Sequence, residues 1–199
     1  MCAACAPIAQ LPDLPGDEVA AEKRRQQIAQ LRDYYGQLNR LDTVAFRIRT
    51  ANISYCHGWV APQIGLYAAT PNSLPRKYRS FSAEALSLRW VRATLISVVE
   101  GSPAGIAGLK VKDELIAFNG EPVPTSGTMG WIGGWLMENG TRPFEVSFKR
   151  DDELMSLKVT PVMACAIPVE LKTESTPNAY TDGDKIVIFS SMMRLARTE

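Results

Sequence analysis

The side chains that most often carry enzyme chemistry are sparse in this chain. Its 199 residues include one histidine, His57, and four cysteines. The pair in Cys2-Ala3-Ala4-Cys5 has no second pair of ligands after it, so the spacing of a zinc or dithiol redox site is missing. His57 has no partner motif beside it, which favours a surface or packing histidine over a catalytic base. The residue types therefore disfavour an enzyme built from this chain alone.

Composition narrows the remaining classes of function. Hydrophobic residues make up 46% of the chain and charged residues 22%, the mixture of an ordinary globular protein. A net charge of +1 argues against a general nucleic-acid binder. No apolar run in the sequence approaches the roughly 18 residues that a membrane-spanning helix needs. The length suits one large domain or two small ones.

A long helix is predicted over residues 17–55, after a Pro-rich leader at 1–16 that is too short of apolar residues to form a core. Apolar residues recur there at steps of three and four, which is typical of a helix with one buried face. These residues are Ile28, Leu31, Tyr35, Leu38, Leu41, Ala45 and Ile48. The stripe packs against another helix, either in this chain or in a partner, and the basic faces beside it are expected to be solvated. Residues 56–84 are punctuated by Gly, Pro and Asn, which predicts a connecting loop.

The centre of the chain carries an ordered series of strand, cap and turn signals. Residues 91–99 are rich in β-branched residues, as in a strand. Ser102 and Pro103 suit the cap and first position of a short helix that Gly108 ends. Asn119-Gly120 then predicts a tight turn. A second helix is expected at 125–138, followed by a hairpin of strands 144–149 and 154–162.

The order Gly-Ser-Pro-Ala, Ala-Gly-Leu, Asp-Glu-Leu-Ile and Asn-Gly resembles a bacterial PDZ domain of the HtrA-like type, over residues 85–163. In that family a Gly usually precedes the Asp, where this chain has Lys112 before Asp113. The resemblance implies an α+β fold: a PDZ-like small β-barrel or sandwich with two helices, preceded by the long helix and followed by a terminal β-hairpin.

The same resemblance implies a groove in which an extended peptide, such as a protein C-terminus or an unfolded segment, adds to a strand. The preceding loop is expected near 86–88, the edge strand near 90–95 and the helical wall at 129–136. No clear Gly-Leu-Gly-Phe-type loop stands in the sequence, so carboxylate capture is left open. The predicted peptide-binding residues are Leu86, Ser87, Leu88, Trp90, Val91, Arg92, Met129 and Ile132.

Residues 164–199 resemble the opening of an HtpX-related zinc metallopeptidase domain. The resemblance is carried by Cys165–Val169, Pro177–Gly183 and Ile186–Ile188, and by Asn52 to Cys56 at the end of the long helix. In that family the next helix carries His-Glu-x-x-His, which holds zinc. That motif is absent here, so the resemblance implies a non-catalytic front part of such a peptidase, with no cofactor in this chain and zinc only in the full-length family.

Two further expectations concern the cysteines. Cys56 and Cys165 flank the PDZ-like unit, and the ends of a domain usually lie close together, so we expect a disulfide between them, with free buried thiols as the alternative. Ala3-Ala4-Cys5 resembles the end of a lipoprotein signal, which makes Cys5 a lipidation candidate, with an accidental small-residue leader as the alternative. Both expectations suit a periplasmic, lipid-anchored protein of the bacterial cell envelope.

Two functions remain open from the sequence. The first is a regulatory or substrate-recognition region of a cell-envelope zinc metalloendopeptidase. The second is an interaction or oligomerisation module without a peptide ligand, which docks on its own peptidase domain or pairs with a second copy through the long helix. Neither involves nucleic acid, and contact with a membrane is expected only through a lipid anchor.

Overall fold

A computed structural model describes residues 16–196 and opens with a long helix, α1 (Gly16–Ala51). Residues 1–15 of the leader, including Cys5, lie outside the described residues, and Gly16 is the first residue of α1. Asp17 and Glu18 occupy the first turn, where acidic side chains favour the positive end of the helix dipole. The helix ends four residues before the predicted position, and a 3-10 helix (Ile53–Tyr55) follows. Within residues 16–196, no helix combines the length and apolar character needed to cross a membrane.

The apolar stripe of α1 is buried within the chain itself. Leu31 packs in a cluster with residues of the central sheet, and Leu41 packs with Leu171 and Met193 near the C-terminal end. Ile48 is the exception among the predicted positions, with 57% of its surface exposed. The partner of the stripe is therefore mainly a sheet and a C-terminal unit, and not another long helix.

The remaining elements alternate short helices with strands. The helices are α2 (Ser82–Leu86), α3 (Pro103–Ala107), α4 (Thr128–Asn139) and α5 (Ser190–Leu195). The strands are β1 (Val60–Gln63), β2 (Leu66–Ala69), β3 (Ala93–Val98), β4 (Glu114–Phe118), β5 (Glu121–Pro122), β6 (Phe144–Arg150), β7 (Glu153–Val159), β8 (Val162–Cys165), β9 (Val169–Lys172), β10 (Ala179–Thr181) and β11 (Ile186–Phe189).

The central sheet has six strands and is open. Its order is β2-β3-β4-β6-β7, and β5 pairs with β4 beside this path. All of these pairings are antiparallel. The predicted α+β class with a long first helix is confirmed, but the strands do not close into a barrel because β2 and β7 do not pair with each other.

One face of the sheet carries the main core. Phe118 and Phe144 pack their rings 4.9 Å apart, and Trp135 of α4 lies against both. Trp135 is only 6% exposed, and its indole N–H donates to a carboxylate oxygen of Glu121 at 2.9 Å. Trp131 is partly buried against the same cluster. Both tryptophans therefore help to fix α4 on the sheet.

The predicted caps and turns are present at the centre of the chain. The Ser102 hydroxyl accepts a hydrogen bond from the Gly105 amide at 3.2 Å, and Pro103 is the first residue of α3. Gly108 ends the helix in the left-handed region, at φ 98°. Lys112, which stands where the family usually has Gly, also adopts a positive φ of 80°. Lys112 therefore occupies the left-handed conformation in which a Gly is more common.

The stretch 56–84, predicted as a connecting loop, contains regular structure instead. It holds β1, β2, two 3-10 helices (Pro71–Ser73 and Arg76–Phe81) and the start of α2. β1 pairs antiparallel with β8, with Val60 opposite Cys165. The prediction failed because Pro62 lies inside β1 and Gly65 lies between two strands of four residues each. The predicted return strand 154–162 is also divided, into β7 and β8 on either side of Pro161.

The C-terminal unit is a three-stranded sheet in the order β10-β11-β9, and β9 and β11 run parallel. It is held against α1, where the Tyr34 hydroxyl donates to the Leu171 carbonyl and the Arg40 guanidinium to the Met193 carbonyl. A disulfide joins Cys56, just after α1, to Cys165 at the end of β8, with 5.6 Å between the two Cα atoms. This agrees with the pairing expected from the sequence.

Candidate functional site

The candidate binding site is the outer edge of β2. Among the described strands only β3 pairs with it, and α4 lies along its other side. The Ala68 amide points away from β3 and donates to the sulfur of Met129 at 3.2 Å. A thioether sulfur is a weak acceptor, so this amide has a poorer partner than the carbonyl of a paired strand would provide.

The turn before β2 is bound tightly to the start of α3. The Ile64 carbonyl accepts from the Ala104 amide at 2.9 Å. The Gly65 carbonyl accepts from the Val99 amide at 2.9 Å and from the Ser102 hydroxyl at 3.2 Å. These bonds hold the turn in one position beside the open edge of β2.

Gly65 is required at this turn for two reasons. Its φ of +71° lies in the left-handed region, and an added Cβ would lie 2.3 Å from the Cβ of Ser102. Within residues 16–196 the Gly65 amide has no acceptor. The sequence signal for this turn is the Gly of Gln63-Ile64-Gly65-Leu66 between two short strands, and from the sequence alone such a Gly predicts a loop.

Helix α4 forms the second wall. Ile132 and Leu136 are almost fully buried and anchor it on the sheet, while Met129 is only partly buried and reaches over the β2 edge. Three glycines, Gly130, Gly133 and Gly134, leave part of the helix surface without side chains, and a Cβ at any of them would meet no atom within 4 Å. The surface of α4 therefore includes the flexible Met129 thioether and open space next to the three glycines.

The structure divides the predicted peptide-binding residues between two places. Met129 and Ile132 lie on α4 as expected. Leu88 is buried in the cluster under α1, where Leu86 also packs, and Ser87 caps α2 in the left-handed region, at φ 59°. These three residues therefore lie apart from the α4 wall.

The expected edge strand near residues 90–95 is wrong. Trp90 and Val91 are exposed and precede β3, and the Arg92 guanidinium donates to a carboxylate oxygen of Glu114 at 3.2 Å. β3 itself lies between β2 and β4, so it has no open edge. The open edge belongs to β2, whose alternation is hidden in the sequence by its short length.

The described residues hold no group of three or more His, Cys, Asp or Glu side chains placed to bind a metal ion. His57 is exposed, at φ 37°, in the turn after the 3-10 helix. The arrangement at β2 and α4 consists of backbone amides, a thioether and apolar side chains. Groups of this kind can pair with the backbone of an extended segment.

Comparison with protein-family models and with curated proteins finds no match. Solved structures do show similarity. The HtrA3 PDZ domain bound to a phage-derived ligand is 15% identical with a TM-score of 0.38, over 52% of this chain and 88% of that one. The HtrA-type protease AlgW with a decapeptide is 15% identical with a TM-score of 0.40, over 52% of this chain and 30% of that one.

A serine endoprotease from Yersinia pestis is 14% identical with a TM-score of 0.37, and this chain spans 36% of its length. The chain is similar to HtrA-type PDZ domains. The strand order and the contacts of Ala68 and Gly65 define the candidate groove. The metallopeptidase resemblance of residues 164–199 rests on sequence alone.

Proposed function

We propose that this chain binds an extended peptide by strand addition to the open edge of β2, with α4 as the opposite wall. The observation that carries the proposal is the Ala68 amide, which points away from the sheet toward Met129. An extended ligand satisfies such an edge by pairing its own carbonyls and amides with those of the strand. Peptide binding is also what the PDZ-like resemblance of the sequence implies.

Peptide binding gives the Ala68 amide a better hydrogen-bond acceptor than the Met129 sulfur. When a ligand carbonyl replaces the Met129 sulfur at the Ala68 amide, a weak hydrogen bond becomes an ordinary one. The unbranched Met129 side chain moves aside at small cost and packs against many apolar shapes. We therefore expect a tolerant groove that prefers apolar ligand side chains at the position nearest Met129.

The ligand end is expected at the turn before β2. The hydrogen bonds of the Ile64 and Gly65 carbonyls hold this turn in place, and the Gly65 amide N–H is positioned to donate to a terminal carboxylate. We therefore propose residues 63–66 as the loop for carboxylate capture, in place of the 86–88 loop expected from the sequence. It favours C-terminal peptides over internal segments.

We further propose that the binding serves a cell-envelope zinc metalloendopeptidase, of which this chain supplies the regulatory or substrate-recognition region. The support is the sequence resemblance of residues 164–199, together with the Cys56–Cys165 disulfide, which suits an oxidising compartment such as the periplasm. Anchoring through Cys5 belongs to the same proposal. The alternative of an oligomerisation module has less support, because the apolar stripe of α1 is mostly buried within the chain.

A peptide selection tests the groove. A library of peptides with free C-termini, displayed against the full chain, is expected to yield apolar C-terminal sequences, and amidation of the selected peptides should weaken them about tenfold through loss of a charge-assisted hydrogen bond. Met129→Trp fills the groove and should weaken binding by at least about tenfold. Met137→Trp on the exposed side of the same helix is the matched control and should change it less than about twofold. Selected peptides that bind both variants equally well would refute the groove.

A further inference from the structure

A second concave region lies under α1, on the face of β2 opposite to α4. Tyr67 belongs to the cluster under α1, whereas its neighbour Ala68 belongs to the cluster under α4. The cavity has a volume of about 630 Å³ and lies between α1, the 3-10 segments after β2 and the C-terminal unit. The side chains that line it include Asp33, Tyr35, Gln37, Tyr67, Tyr78 and Arg194.

The Gln37 side chain is the first sign of a binding site in this cavity. It is only 7% exposed, and its amide N–H donates to the Asp33 carboxylate at 2.7 Å. That bond fixes which end of the amide is which, so the other end is an acceptor. Among the described residues no donor reaches this oxygen, and a buried acceptor without a partner is costly.

The walls carry opposite charges on opposite elements. Asp33 lies on α1, and Gln37 donates to only one of its two carboxylate oxygens. Arg194 also lines the cavity, and it lies on α5, far from Asp33 in the sequence. The Asp33 carboxylate and the Gln37 oxygen accept hydrogen bonds, whereas the Arg194 guanidinium only donates them. A ligand that satisfies both ends needs a cationic donor and an anionic acceptor.

The cavity lining is also rich in neutral aromatic side chains. Burial raises the pKa of Tyr35 well above its usual value, with smaller contributions from Tyr67 and Tyr34. Burial likewise raises the pKa of Tyr67. These hydroxyls therefore stay protonated at all physiological pH values, and their rings offer an apolar surface with donors at the tips.

We propose that this cavity binds a short zwitterion, either a free α-amino acid or a di- or tripeptide. The ligand ammonium lies between the Asp33 carboxylate and the Gln37 oxygen, the ligand carboxylate pairs with Arg194, and an apolar or aromatic side chain packs on Tyr35, Tyr67 and Tyr78. The ammonium supplies the donor that Gln37 lacks. The volume is within the range of about 300–1,000 Å³ typical of small-molecule sites.

Blocked ligands test the assignment of each charge. Isothermal titration of the full chain uses L-phenylalanine, the dipeptide Phe-Ala, its N-acetyl form and its C-terminal amide. We expect Phe or Phe-Ala to bind, and we expect either block to weaken the dipeptide about tenfold, because each removes one charge-assisted contact. The tighter of the two unblocked probes identifies the source of the zwitterion.

Variants then link each block to one residue. Asp33→Asn should lose the discrimination against the N-acetyl form and keep that against the amide, and Arg194→Gln should do the reverse. Asp17→Asn on the same helix and Arg142→Gln in the turn between α4 and β6 are charge-matched controls. Both should keep the preference for a free amino end and the preference for a free carboxyl end. The Met129→Trp variant should bind Phe-Ala unchanged, which separates this cavity from the peptide groove. The proposal would be overturned if no probe binds at concentrations up to about 10 mM. Equal binding of the free and the blocked forms would also overturn it.

Discussion

The backbone amide of Ala68 donates to the sulfur of Met129 at 3.2 Å, and this contact joins the open edge of the central sheet to α4. The bond occupies the position that a ligand strand would take, with an acceptor that is weak and easily moved. The next residue, Tyr67, packs toward α1 on the other face. One short strand therefore borders both the proposed peptide groove and the proposed zwitterion cavity.

The turn at Gly65 is expected to be intolerant of any side chain. Gly65→Ala adds a Cβ that collides with Ser102 in addition to the strain of a positive φ. Gly101→Ala is a matched control, because Gly101 has φ +73° and an added Cβ there meets nothing within 4 Å. Chemical denaturation should show a loss of about 1 kcal/mol for the control. It should show at least about 2 kcal/mol more for Gly65→Ala, from overpacking. Equal losses in the two variants would contradict the close approach.

The second prediction concerns the ion pair between Asp113 and Arg150. Asp113 is 1% exposed, and its two carboxylate oxygens each accept from the Arg150 guanidinium at 2.7 Å. Arg150→Met leaves that carboxylate buried without its cation, which should lower the free energy of unfolding by about 3 kcal/mol or more. The neighbouring Lys149 pairs with an exposed Asp152, so Lys149→Met should cost less than about 1 kcal/mol. Similar costs for the two variants would show that the buried pair is not a major source of stability.

The Cys56–Cys165 disulfide closes a loop with a sequence separation of 109 residues. Replacing both cysteines by Ser should lower the free energy of unfolding by about 2–5 kcal/mol, because the unfolded chain gains freedom. The measurement is denaturation of the protein with and without reductant. The double Ser variant should show no effect of reductant, and mass analysis should find Cys56 and Cys165 blocked to alkylation before reduction. Ready alkylation of both in protein made in an oxidising compartment would contradict the bond.

Asp42 should make stability depend on pH. Burial raises its pKa from 3.8 to about 6, and the nearby Arg49 only partly opposes this. The folded state therefore holds the proton more tightly than the unfolded state, so this contribution to stability is complete below about pH 4 and is lost as the pH rises through about 6. The free energy of unfolding should fall by on the order of 2 kcal/mol across that window. Asp42→Asn should remove that part of the pH profile, and an unchanged profile in the variant would contradict the raised pKa.

The parts of the fold that the sequence predicted are those with strong local signals. Ser102, Pro103 and Gly108 fix α3 through a cap, a first-turn proline and a left-handed end, which depend on few neighbours. The apolar residues that recur every three or four positions along α1, and the alternation of apolar and polar residues in β6, are equally clear signals. The residues of β1 and β2 were missed because each strand has only four residues, and a Pro or Gly in so short a segment is the signal of a loop.

The position of the groove could not be predicted from local sequence patterns. Met129 and Ile132 lie on a helix as predicted, because the helix has its own periodicity, and their role as a wall of the groove stays a prediction. Whether a strand is central or at an edge depends on pairing across the chain, so β3 was taken for the edge that β2 occupies. The zwitterion cavity joins Asp33 to Arg194 across 161 positions of sequence, a juxtaposition that only the packing of α5 on α1 creates.

The most direct test of the central proposal follows the Ala68 amide during titration with a C-terminal peptide selected for binding. In a nitrogen-labelled sample, the Ala68 amide proton should move downfield as a carbonyl replaces the Met129 sulfur, and the Gly65 amide should shift with it. Amides of β7, at the opposite edge of the sheet, should stay in place. Peptide binding that leaves Ala68 and Gly65 unperturbed while shifting β7 or the exposed segment at Trp90 and Val91 would contradict strand addition at β2.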